Sequence, residues 1–112
     1  MARFLVIGEY VEPGPAFTAQ QTVMMIEQLI TPSLEMLAKW EEEGRVKGGL
    51  VAGEREGAFI MEAASSEEIG GMLRSLPFWG LLKWQVKPLQ TLRSAMEQDR
   101  KSVEAARAAV NK

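Results

Sequence analysis

Residues 3 to 11, RFLVIGEYV, are apolar on both alternating faces: Phe4, Val6 and Tyr10 on one, with Gly8 between them, and Leu5, Ile7 and Val11 on the other. That pattern predicts a strand covered from both sides. The EPGP that follows breaks it, since each proline lacks a donor and fixes its own φ. TAQQ (18–21) fits a capping box, with Thr18 capping the N3 amide and Gln21 reaching back. Ile26, Leu29, Ile30, Leu34, Leu37 and Trp40 then recur at spacings of three and four, predicting a helix that closes at EEEG with Gly44 as C-cap. Pro32 frees the carbonyl of Gln28 and clashes with that turn, so either a kink or a restart with Thr31 as a new N-cap is expected.

VKGGLVAG (46–53) and GAFIMEA (57–63) bracket Glu54, Arg55 and Glu56, the length of a hairpin connection. SSEE (65–68) is a second capping box, and Ile69, Met72, Leu73 and Leu76 form the stripe of the helix it opens. Gly70 and Gly71 each cost that helix about 1 kcal/mol relative to alanine, which suggests a close backbone approach. After Pro77, LLKWQVKP alternates: Leu82, Trp84 and Val86 point one way, Lys83, Gln85 and Lys87 the other, with Pro88 suited to an edge.

This β-α-β-β-α-β order predicts an α+β, ferredoxin-like domain over residues 1–89: a four-stranded antiparallel sheet with both helices on one face. The first and third strands are expected to be central and parallel to each other. Because strand 1 is apolar on both faces, the uncovered side exposes an apolar patch, and a homodimer at least, sheet against sheet, is expected. Residues 90–112 form a helical extension. Its Leu92, Met96, Asp99, Val103, Ala106 and Val110 continue from Leu89 at alternating steps of three and four. That seam either docks on its own domain or a partner, or forms a separate coiled coil.

Composition narrows the chemistry. At 112 residues the chain suits one domain, and a net charge of −2 with no basic cluster argues against nucleic acid. No stretch approaches the ~18 apolar residues of a membrane span, and the opening run is too short for a signal peptide, so the expected location is cytoplasmic. The chain has neither cysteine nor histidine, which removes thiolate nucleophiles, His-based triads and the commonest metal ligands. No phosphate loop, nucleotide fingerprint or metal spacing occurs, so neither cofactor nor metal is expected.

Proton transfer would then fall to carboxylates, tyrosine or lysine. Glu9 lies near the end of strand 1 and Glu62 near the end of strand 3. If those strands run parallel, the two carboxylates share a rim and resist ionising together, which suits one of them to general-base work. The alternative is that each marks a strand leaving the core. Tyr10, the only tyrosine, either donates to a ligand oxygen or is a core residue with a wet tip. In SLPFWGLLKWQVKPL (75–89), Pro77 stiffens the elbow and Gly80 permits an unusual dihedral. Phe78 and Trp79 either plug the end of the sheet, or Trp79 with Trp40 or Trp84 walls an apolar ligand pocket.

The segment LRSLPFWGLLKWQVKPL (73–89), together with the GG-containing second strand and the Ser-Ser-Glu-Glu helix start, resembles muconolactone isomerase and its relatives in the dimeric α+β barrel superfamily. The resemblance covers residues 3–89. It implies ferredoxin-like protomers paired through their sheets, a pocket between sheet and helices, and cofactor-free proton transfer or cyclisation on small cyclic or carbonyl compounds. Where characterised isomerases carry His and Tyr around the second hairpin, this chain has Glu54, Arg55 and Glu56. The fold and pocket are therefore the expectation, and the lactone substrate is not. The competing expectation is a non-catalytic binding or assembly module whose device is the C-terminal helix.

Overall fold

The structure is a computed structural model describing residues 1–11 and 17–111. The EPGP break, at 12–15, lies outside the described residues. The elements are β1 (Ala2–Tyr10), α1 (Ala19–Met25), a π-helical turn (Ile26–Ile30), α2 (Thr31–Glu42), β2 (Val46–Leu50), β3 (Glu56–Ala63), α3 (Ser66–Arg74), β4 (Leu82–Leu89) and α4 (Leu92–Val110). The four strands form one sheet in the order β2-β3-β1-β4, every neighbour antiparallel. This is the ferredoxin-like α+β fold.

β1 and β3 are the central pair, as expected, but they run antiparallel rather than parallel: Ala2 stands opposite Ala63 and Glu9 opposite Glu56. The reason is topological. Each crossover returns a strand parallel to the one it left but leaves room for one strand between, and that intervening strand runs the other way. The correction moves Glu62 to the opposite end of the sheet from Glu9.

The alternation in each strand decides which side chains the helices cover. Phe4 and Val6 of β1, Phe59, Met61 and Ala63 of β3, and Val46 of β2 point into one buried cluster with Leu37 of α2 and Ile69, Met72 and Leu73 of α3. Fully burying one such aliphatic side chain contributes about 1.5–3 kcal/mol relative to leaving it exposed. On the other face, register aligns Leu5 and Ile7 with Ile60 and Ala58. These four form the apolar strip of the open face.

The first helical segment starts as its sequence predicts, with both halves of the Thr18–Gln21 capping box in place. Pro32 produces no restart: Thr31 makes no side-chain cap, and the helix instead takes one wide turn over Ile26–Ile30. A wider turn accommodates the missing donor and the ring without breaking the helix. Ser33, fully buried in the next turn, donates from its hydroxyl to the Leu29 carbonyl at 2.6 Å and accepts from the Phe78 amide at 2.9 Å. One hydroxyl thus ties the helix to the elbow before β4.

At α3, Ser65 caps the Glu68 amide, but Glu68 reaches the amide of Ala64 rather than that of Ser65. Its other oxygen faces Arg45 at 3.3 Å, which draws the carboxylate past a regular capping box. No backbone closes on Gly70 or Gly71; open space lies beyond both. Gly80 does not have a positive φ, while Gly44 does, at 79°, as its C-cap role requires.

α4 is capped by Thr91 and buries none of its residues. It therefore does not dock on its own domain. The molecule measures 73 × 32 × 25 Å with a radius of gyration of 19.6 Å, against roughly 13 Å for a compact chain this long. The helix projects from the body as a spur.

Candidate functional site

Two backbone hydrogen bonds fix the far end of β1: Tyr10 N–H donates to the Arg55 carbonyl and Val11 N–H to the Leu81 carbonyl, both at 3.0 Å. Tyr10 is thereby clamped between the β2–β3 hairpin and the turn before β4. Two cavities meet there. The larger, 530 Å³, lies between the end of the sheet and the first helix, lined by Val11, Phe17, Met25, Ile26, Ile30 and Leu81, with Tyr10, Thr22 and Arg55 as its polar side chains. The smaller, 240 Å³, is lined by Glu9, Gly53, Glu54 and Glu56 and again by Tyr10 and Arg55. Tyr10 and Arg55 form the wall common to an apolar pocket and an acidic one.

The local sequence explains this placement. Gly53, at φ 80°, turns the hairpin tightly, and the antiparallel register sets Glu56 directly opposite Glu9. On its other side Glu9 faces Lys83 of β4. The ring of Tyr10 meets Phe78 edge-on at 6.1 Å, and Phe78 meets Trp84 the same way at the same distance. Half-burial removes solvation from a phenolate, so the Tyr10 hydroxyl titrates above its ordinary range and remains a donor at neutral pH.

The expected site residues therefore separate. Glu9 and Tyr10 lie together at the cavity junction. Glu62 lies at the other end of the sheet, 3.3 Å from Arg3, because the central strands are antiparallel. Phe78 is buried beneath the elbow as a plug, and Trp40 packs against the core. Trp79 does not wall the cavity: it is 41% exposed, with the Arg74 guanidinium 5.3 Å above its ring. Trp84 leans on the core and donates from its indole to the Trp79 carbonyl at 3.1 Å. Reading the residues alone missed Arg55 as a site residue and missed the apolar lining from Phe17 to Ile30. The register supplies the signal for Arg55, since an antiparallel β1–β3 pair brings the hairpin tip to Glu9.

Among the described residues, no cluster of three or more His, Cys, Asp or Glu side chains is arranged to hold a metal ion. No helix of those residues is long and apolar enough to cross a membrane.

The fold defines the class: a ferredoxin-like α+β domain with a pocket at one end of its sheet. No protein-family profile matches the chain, and no curated protein does. Among solved structures the chain is similar to muconolactone isomerase, with a TM-score of 0.63 and 21% identity, covering 80% of this chain and 88% of that one. At that identity the likeness shows the shared fold.

Proposed function

We propose that this chain is a small enzyme that moves a proton on a small apolar cyclic or carbonyl compound, by isomerisation or cyclisation, without a cofactor. The observation that carries the reading is the junction at Tyr10 and Arg55, where an apolar cavity opens beside the Glu9–Glu54–Glu56 carboxylates. Proton abstraction next to a carbonyl needs a base, and it needs donors for the oxyanion that develops. A carboxylate of the acidic cavity supplies the first. The Tyr10 hydroxyl, protonated at neutral pH, and the Arg55 guanidinium supply the second. The lining from Phe17 to Ile30 keeps water from the ring of the ligand.

The fold shared with muconolactone isomerase supports the same reading at the level of architecture. The apolar strip of Leu5, Ile7, Ala58 and Ile60 supports pairing of two protomers through their open sheet faces. A second reading, a non-catalytic assembly module, is favoured by α4, which buries nothing in its own chain.

Incubating the protein in D2O with a panel of cyclic enones and unsaturated lactones tests the proposal by proton NMR. Loss of the signal α to the carbonyl is the expected result, slowed at least tenfold in Glu9→Gln and Tyr10→Phe and unaltered in Glu62→Gln. Equal exchange with and without protein across the panel would overturn it.

A further inference from the structure

We propose that α4 docks along the outer face of α1 and α2 of a second copy of this chain. This extends the assembly reading above and stands whether or not the pocket is catalytic. The seam on α4 is fully presented: Leu92, Met96, Val103 and Val110 are 84%, 68%, 49% and 82% exposed. Only Gln90 and Thr91 separate it from β4, and both are committed, Thr91 to the N-cap and Gln90 to the hydroxyl of Ser94 at 3.1 Å. That short link directs the helix away from its own body, so whatever covers the seam comes from another molecule.

Charge selects the surface. Beside the seam, Arg93, Arg100 and Arg107 recur every seven residues and form one stripe, each step about 10.5 Å along the helix. On the helical layer of the body, Glu27, Glu35 and Glu42 recur after eight and seven residues, all exposed, on the side opposite buried Ser33 and Leu37. The wide turn at Ile26–Ile30 brings Glu27 into line with the other two. From Ala19 to Glu42 this layer carries four carboxylates against one ammonium, and exposed Val23 and Met24 supply apolar contact at its start. The two stripes are opposite in sign and similar in spacing.

Self-pairing of α4 is opposed by the same residues. A parallel pair would set Asp99 against Asp99 in the seam, and an antiparallel pair would set one arginine stripe against the other. Arg100 already contacts Glu97 and, at 2.9 Å, Glu104 on its own helix, yet a guanidinium has five donors to share. Exposed ion pairs contribute little singly, so the stripes set register and partner while the apolar seam supplies affinity.

The chain has no cysteine, which makes single-site cross-linking clean. Arg100→Cys and Glu35→Cys chains, carrying different tags, are mixed and treated with a short bis-maleimide. A mixed-tag dimer should dominate. It should fall at least fivefold when Arg93→Glu and Arg107→Glu are added to the first chain, and return when Glu27→Arg and Glu42→Arg are added to the second. Cross-links only between Arg100→Cys chains would overturn the proposal in favour of self-paired helices. A third chain carrying both substitutions, diluted alone, is the control for docking in cis: cross-links that form only within it, and never between the mixed chains, would overturn the proposal. Absence of any cross-link would overturn it outright.

Discussion

The body and the spur show the same kind of apolar periodicity and meet opposite fates. α3 has its stripe at Ile69, Met72 and Leu73 fully inside the core, while α4, twice as long, has an equally regular stripe wholly in solvent. Periodicity states that a helix has an apolar face, and only topology states what meets it. α3 lies between two strands of the sheet and must cross its face. α4 follows the last strand on an edge and has no second strand to return to. Stability therefore resides in the body, and α4 adds no buried side chain to it.

That contrast can be tested first where it is largest. Ile69→Ala, at a site with no exposure, should lower the unfolding free energy by about 2–5 kcal/mol in urea titrations. Val103→Ala on α4 should change the stability of the body by less than about 0.5 kcal/mol. Gly48→Ala probes the sheet edge: φ is 132°, and a Cβ there would stand 2.2 Å from the Ala58 carbonyl oxygen. It should cost more than about 1 kcal/mol, with amide exchange quickening in β2 before the rest of the sheet. Ser33→Ala, which strands the buried Phe78 amide, should cost about 1–3 kcal/mol and loosen the elbow.

The smallest effect comes from pH. Burial raises the Tyr10 hydroxyl above its ordinary value of 10.0, so between that value and its folded-state value the folded chain holds a proton the unfolded chain has released. Stability should be unaffected by this group below pH 10.0 and should fall as pH rises through that window. Tyr10→Phe should flatten the slope. Because there is one tyrosine, tyrosinate absorbance follows it alone.

Much of the fold is legible in the chain because local chemistry and tertiary role agree. The alternation of β4, the Thr18 box and the stripe of α3 each specify one answer, and the structure has all three. Pro32 is read less well, since the helix takes a wide turn two residues upstream of it, a response that apolar periodicity does not encode. The candidate site is read in part. Glu9 and Tyr10 stand where strand 1 ends, but the partner of Glu9 depends on strand direction, which periodicity does not carry. Antiparallel register replaces Glu62 with Glu56 and brings Arg55 beside Tyr10. Trp79 shows a different limit: an aromatic in an elbow fills either the inside or the outside of the bend, and here Arg74 holds it outside.

Whether the space between Tyr10 and the first helix binds a ligand is read out by titrating the 15N-labelled full chain with an anilinonaphthalene sulfonate probe, an aromatic anion suited to an apolar cavity beside Arg55. A pocket there predicts saturable amide shifts concentrated at Val11, Phe17, Ile26, Ile30 and Leu81, and their weakening in an Ile26→Glu variant that remains folded. Shifts confined to α4 or to the open sheet face, with the Tyr10 end of the sheet unmoved, would contradict it.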